Sequence, residues 1–238
     1  MISFQKDLEE FEIYLNEEQV RQFLNYYDFL KEWNSFMNLT AITEFHEVLK
    51  KHFVDSLSLV KAIPDLVEKS YSVIDVGTGA GFPGIPLKIV FPNLKVTLLD
   101  SLNKRIKFLD HIIEELKLDG IRTIHGRAED YARKAGYREK FDLCVSRAVA
   151  NLTSLSEYCL PYVRVGGRFV SYKSGDIEQE ISESERAIKI LGGKVYQVEK
   201  FNLPGTEIQR SFVMIKKMKN TQNKYPRKAG MPTKEPLK

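Results

Sequence analysis

No stretch of this 238-residue sequence approaches the roughly 18 uninterrupted apolar residues of a membrane-spanning helix, so no membrane association is expected. Cysteine is scarce. Cys144 and Cys159 lie in apolar segments without C-x-x-C spacing, which offers no metal site and suggests two reduced core residues. The first dozen residues carry acids and no hydrophobic run, so no signal peptide is expected and the expected compartment is the cytoplasm. No phosphate loop of the form G-x-x-x-x-G-K-S/T occurs, which argues against ATP chemistry. Internal repeats are absent. No exposed heptad seam favours an oligomer, so a monomer is expected.

What is present is an ordinary globular composition, 43% hydrophobic and 29% charged, long enough for one main domain with an appendage. The net charge of +4 hides an asymmetry. From Lys216 onward eight Lys and Arg face the single acid Glu235, a local balance of +7, which leaves −3 on the other 215 residues. Such a tail suits phosphate contact and salt-sensitive nucleic-acid binding. A solvated terminus has the same composition, and both readings stand at this point.

The most informative segment runs Val73-Ile74-Asp75-Val76-Gly77-Thr78-Gly79-Ala80-Gly81-Phe82-Pro83-Gly84, followed by Val96-Thr97-Leu98-Leu99-Asp100. A buried strand enters a G-x-G-x-G turn, and a second apolar strand ends on an acid about 20 residues on, which is how α/β proteins hold an adenosine. Glycines admit the ligand to the backbone, and the acid accepts from ribose hydroxyls. A dinucleotide site wants G-x-G-x-x-G, whereas here the third glycine comes one position early and Phe82 fills the slot. Asp75 before the turn would repel pyrophosphate but can meet a methionine amino group, through the backbone or water. S-adenosyl-L-methionine is therefore favoured over NAD, FAD or ATP.

Hydrophobic periodicity divides the chain into three: a helical subdomain over 1–68, an α/β domain over 69–217 and a basic tail over 218–238. Phe11, Tyr14 and Leu15 share one helical face, as do Val20, Phe23, Leu24, Tyr27 and Leu30. Asn16 is placed to cap the second helix, and a third runs from Glu44 to Ala62 and stops at Pro64. From Ser72 the pattern becomes βαβ, with strands near 72–76, 95–99, 121–125, 141–146, 167–172, 194–200 and 210–216. The turn Asn202-Leu203-Pro204-Gly205 makes the last two an antiparallel hairpin at one end of a seven-stranded sheet.

Chemistry in such a sheet sits at the carboxyl ends of the parallel strands. There lie Gly126-Arg127-Ala128-Glu129-Asp130, Ser146-Arg147-Ala148-Val149 and Tyr172-Lys173-Ser174-Gly175. Ala128 and Glu129 suit an adenine edge, although Glu129 equally suits a helix cap. Arg147 and Lys173 bring two cations to adjacent strand tips. No Asn/Asp-Pro-Pro-aromatic turn is present to orient an exocyclic amine, and Cys144 sits too deep in its strand to be a nucleophile. A ring nitrogen with a free lone pair, such as guanine N7, needs neither device and only alignment. Two other classes share parts of this pattern: a methyltransferase for a small molecule or protein, which has no use for the tail, and a non-catalytic RNA-binding protein of the same fold.

Together with Leu99-Asp-Ser-Leu-Asn-Lys-Arg-Ile106, these strings resemble the RsmG (GidB) family of bacterial small-subunit rRNA methyltransferases. The likeness extends to Trp33-Asn34, Asn38-Leu39-Thr40, His52-Phe-Val-Asp-Ser56 and the tail Lys224-Tyr-Pro-Arg-Lys-Ala-Gly-Met-Pro232, nearly the whole chain. The resemblance implies a class I methyltransferase that transfers a methyl group from S-adenosylmethionine to N7 of guanosine 527, in the 530 loop of 16S rRNA. Its partner would be 16S rRNA, either in the small ribosomal subunit or in an assembly intermediate. Carried over by motif, the cofactor contacts are Gly77, Phe82, Asp100, Ala128, Glu129 and Arg147, beside Asp75 and Gly79 from the turn itself. Arg147 and Lys173 take the catalytic, substrate-facing roles, with His52 and Asp55 as further substrate contacts. His52 also fits a helix cap or a buried polar cluster, and the Trp33 to Thr40 segment fits core packing and a capped turn. Lys224, Tyr225, Arg227 and Lys228 would form a stiff basic arm with an aromatic face for folded RNA. The same arm also fits a lid over the cofactor pocket.

Overall fold

A computed structural model describes residues 1–147 and 150–237. Ala148 and Val149 of the strand-tip motif, and the terminal Lys238, lie outside the described residues. The seven expected strands form one sheet: β1 (Ser72–Val76), β2 (Lys95–Asp100), β3 (Ile121–His125), β4 (Phe141–Arg147), β5 (Val163–Lys173), β6 (Gly193–Asn202) and β7 (Gln209–Lys217). Their order is β3-β2-β1-β4-β5-β7-β6. Pairing is parallel from β3 to β5, and β7 runs antiparallel to both β5 and β6, as the short turn after Asn202 requires. Because β7 is reversed, its start is level with the end of β5, with Ser211 opposite Lys173.

Alternation along the strands feeds two cores. Val73, Leu143, Val145, Val170, Tyr172, Phe212 and Met214 point to one face, Ile74, Val76, Cys144, Phe169, Val213 and Ile215 to the other. The first face is covered by α1 (Ile2–Glu9), α2 (Glu17–Met37), the helical stretch 45–61, α5 (Gly84–Val90) and α6 (Asn103–Glu115), so the N-terminal helices share one apolar core with the sheet. Asn16 caps α2 in a reciprocal box: its side chain accepts from Gln19 N–H while Gln19 accepts from Asn16 N–H. The Trp33 ring packs against Phe108 and His111, and Asn34 Oδ1 accepts from Thr40 N–H (2.8 Å), so this segment is packing and a capped turn.

The third helix is continuous over 45–61 but not uniform. α3 (Phe45–Val48) passes into a π-helical segment, Leu49–Val54, then α4 (Asp55–Leu57) and a 3₁₀ turn, Ser58–Lys61. Apolar spacing alone does not distinguish these pitches. The widened turn matters because it carries Lys51 and His52, and such segments concentrate at functional sites.

The second face is covered by α8 (Leu152–Cys159), α9 (Glu178–Ile190) and the C-terminal segment, with the short helices α7 (Ala128–Tyr131) and α10 (Met231–Lys234) at its edge. Here the expectation of an extended arm is corrected. Tyr225 is 8% exposed and packs in the core, so it offers no free aromatic face. Arg227 is committed to the buried Glu157 by N–H, Nε and Nη2 contacts of 2.7 to 3.2 Å. Lys217 is buried and donates to Leu160 O and Thr221 Oγ1 (both 2.6 Å); burial pushes its ammonium down to about 8, against the opposing pull of Glu139. Only Lys224 and Lys228 of the four tail residues proposed for RNA are exposed. The apolar and ion-pairing content of this basic stretch outweighs its charge. Accordingly, Arg227→Met is expected to lower unfolding free energy by about 3 kcal/mol, because Glu157 is left charged and buried. Urea denaturation measures this, and an unchanged midpoint would mean that the tail is not anchored there.

Candidate active site

The turn after β1 is held from below. Asp75 is fully buried, and its Oδ2 accepts from Thr78 Oγ1 (2.6 Å) and Gly84 N–H (2.9 Å). Burial raises its carboxyl to about 6, with those two hydrogen bonds opposing. Asp75 thus ties the two ends of the turn together from inside, and of the contacts with a methionine amino group expected from sequence its buried side chain leaves the backbone route. A Cβ at Gly84 would lie 2.3 Å from Leu98 Cδ2 and 3.0 Å from Asp75 Oδ2, so only glycine fits over this acid. Gly79 has the opposite reason: its φ of +63° favours glycine, while the space beside it is open.

Three connected clefts run along the carboxyl edge of the sheet. The first, about 180 Å³, is lined by Gly77, Asp100, Ala128, Glu129 and Tyr158, among others. The second, about 400 Å³, shares Gly77 and Asp100 and adds Gly79, Phe82, His52 and Arg147. The third, about 530 Å³, shares His52 and Arg147 and adds Asp55, Lys173, Glu180 and Arg210. All the core motif residues except Asp75 thus open onto one trough. Asp100 Oδ1 accepts from Leu102 N–H, and its Oδ2 from Gly79 N–H (3.0 Å) and Arg105 Nη1 (3.1 Å). A carboxylate has about four acceptor sites, so capacity for a hydroxyl is left. Glu129 is buried and accepts from Gly230 N–H (2.8 Å), which makes it a receiver of the tail rather than a cap for its own helix.

Arg147, at the tip of β4, lies over the Phe82 ring (5.0 Å) and donates to Asp55 Oδ2 (2.9 Å). Asp55 Oδ1 accepts from Arg210 Nε (2.7 Å), so one buried carboxylate bridges two guanidinium groups. His52 stacks on the opposite neighbour of that cluster, Phe82, with centroids 4.5 Å apart and planes 23° apart. Burial first, and then the Arg147 guanidinium, push its imidazole down to about 3, so it is neutral near pH 7. Its Nδ1 lies 3.2 Å from both Arg147 Nη2, a donor, and Lys51 O, an acceptor, and its Nε2 faces Thr40 Oγ1 (2.9 Å). His52 and Asp55 both line the third cleft, with His52 joining a buried polar cluster at its wall.

Lys173 needs correction as a catalytic group. Its Nζ donates to Glu180 Oε1 (2.6 Å) and Ala150 O (2.9 Å), which neutralises it and ties β5 to the loop after β4. Cys144 is confirmed as a buried core residue, its thiol pushed well up by burial. Arg210 escaped the sequence reading. The signal was available: an antiparallel last strand must begin where the parallel strands end, so the first charge within that strand belongs at the catalytic edge.

This sheet order, with the glycine turn after β1 and the acid closing β2, defines a class I S-adenosylmethionine-dependent methyltransferase fold. Solved structures agree on the fold alone. M. jannaschii TYW2 in complex with AdoMet is 16% identical with a TM-score of 0.53, covering 69% of this chain and 77% of that one. MtNAS in complex with MTA and tNA is 17% identical with a TM-score of 0.54, covering 81% and 71%. Sequence goes further. The family model for rRNA small subunit methyltransferase G matches residues 19–213. The ribosomal RNA small subunit methyltransferase G of Lachnoclostridium phytofermentans is 56% identical over 223 residues, 94% of this chain and 91% of the relative. Proteins of the same name from Clostridium tetani and Acetivibrio thermocellus are 52% and 53% identical, covering 94% and 95% of this chain and 92% of each relative. The chain belongs to the rRNA small subunit methyltransferase G family. Among the described residues no helix is long and apolar enough to cross a membrane.

Proposed function

We propose that the protein methylates 16S rRNA with S-adenosylmethionine as donor, at N7 of guanosine 527 in the 530 loop. The observation that carries this is the shared wall of the clefts: Arg147 and His52 border both the space beside the glycine turn and the cationic space beyond it. Family membership supports the rRNA substrate. Gly77, Gly79, Phe82, Asp100, Ala128, Glu129 and Arg147 would hold the cofactor, which when bound would supply an electrophilic methyl group on sulfonium sulfur. Asp100 presents acceptors for ribose hydroxyls, and Glu129 an acceptor for the adenine edge. The fit is supported by the glycine turn, where a side chain at Gly79 would fill open space on the cleft wall.

With the cofactor bound, its sulfonium methyl would be available to the guanine N7 lone pair, the electrons of the methyl–sulfur bond leaving with sulfur. The guanine ring takes up the positive charge, so no proton has to leave and no general base is required. Arg147 orients guanine through its O6 edge or a neighbouring phosphate. Asp55 offsets the Arg147 charge and fixes the guanidinium plane, which limits repulsion as charge develops at N7. Neutral His52 walls the site without adding charge. Lys173 acts by positioning the loop after β4, and the exposed Lys224 and Lys228 contact rRNA phosphates.

Labelled-methyl transfer to 16S rRNA and to small subunits from a strain lacking the enzyme tests this. One N7-methylguanosine in the 530 loop is expected, and comparison of the acceptors identifies the natural one. A label elsewhere in the rRNA would overturn the target, and none in either acceptor would overturn the substrate class.

A further inference from the structure

The C-terminal strap reaches the first cleft at two points. Gly230 N–H donates to Glu129 Oε1 (2.8 Å), and Thr233 Oγ1 lies 2.5 Å from the Tyr158 hydroxyl; Glu129 and Tyr158 both line that cleft. The strap is anchored before these contacts and between them. Upstream, Arg227 holds Glu157, and Arg138 and Arg133 donate to the carbonyls of Tyr225 and Pro226. Between the two contacts, Ser154 Oγ donates to Pro232 O (2.7 Å). Glu129 Oε2 makes no hydrogen bond among the described residues.

A carboxylate with one oxygen held by a fixed N–H presents the other in a fixed direction, and that oxygen can only accept. An exocyclic 6-amino group satisfies it, while a 6-oxo group sets lone pairs against lone pairs and leaves a buried charge without a partner. We infer that the strap is a positioning element of the cofactor site, and that by fixing Glu129 it sets the preference of the cleft for a 6-amino over a 6-oxo purine. This rests on the proposed adenosine-binding role of the first cleft. It gives the tail a task at the donor end of the reaction, distinct from any contact with RNA.

Calorimetric titration of the full-length protein with S-adenosylhomocysteine and its 6-oxo counterpart S-inosylhomocysteine, without RNA, measures the preference directly. The unaltered protein should favour the 6-amino ligand by about 10- to 100-fold. The full-length double variant Gly230→Ala/Thr233→Val should reduce that ratio to a few-fold. A side chain at Gly230 meets open space and strains only its φ of +84°, so the fold is retained. Ser154→Ala, which frees the Pro232 carbonyl, should move the ratio in the same direction by a smaller factor. Glu129→Gln should lower the ratio in the unaltered protein and add little in the double variant. A ratio that stays constant while both affinities fall together would reduce the strap to a structural prop and overturn the inference. Failure of the unaltered protein to bind either nucleoside would instead overturn the cofactor reading beneath it.

Discussion

Arg147→Gln is expected to lower single-turnover methyl transfer to 16S rRNA by about 10²- to 10³-fold at saturating cofactor. Arg147 is the cation that borders both functional clefts, and its orientation is over-determined by Asp55, the Phe82 ring and His52. Glutamine keeps a polar group but loses the planar cation and the bond geometry to Asp55. The stability cost should be modest, about 1–3 kcal/mol, because Arg210 still holds the other oxygen of Asp55. Affinity for S-adenosylmethionine should fall less than the rate, since Arg147 is one of several cofactor contacts but the side chain assigned to orient guanine. A rate indistinguishable from that of the unaltered protein would remove Arg147 from the reaction. An equal fall in rate and cofactor affinity would leave it a cofactor contact alone.

Stability between pH 4 and 7 should be nearly flat because two buried groups pull in opposite directions. Asp75 titrates near 3.8 in an unfolded chain and at about 6 in the fold. Between those values the folded state holds the extra proton, so Asp75 removes stability as pH rises, about 3 kcal/mol in all. His52 titrates near 6.5 unfolded and at about 3 folded. Below 6.5 the unfolded state holds the extra proton, so His52 removes stability as pH falls, up to roughly 5 kcal/mol by the time pH reaches its folded value. Single substitutions should separate the two slopes. His52→Gln should leave stability falling with rising pH up to about 6, and Asp75→Asn should leave it rising across the same range. Urea denaturation at half-unit steps of pH reads both slopes, and parallel curves for the two variants would show that neither group titrates as its surroundings dictate.

The tail shows how composition misleads. Its eight cations suggested an RNA arm, yet Tyr225 and Lys217 are buried and Arg227 neutralises Glu157. Nothing in the local string of Lys224 to Lys228 reveals that an acid about 70 positions earlier is buried and needs a partner. The same holds for Lys173, whose neutralising partner Glu180 lies on the next helix.

By itself the sequence determined the order and type of the elements, the glycine turn with its closing acid, and family membership. These depend on residues close together in the chain, where periodicity and turn chemistry act directly. Only the tertiary structure decided which charges are free to act. Whether a cation faces a ligand or a buried carboxylate depends on partners brought together by the sheet and the packed strap, at separations of 155 residues for Arg210 and Asp55 and 101 for Gly230 and Glu129. Burial, which moved Asp75 and His52 in opposite directions, is likewise a property of the assembled core and not of any local segment.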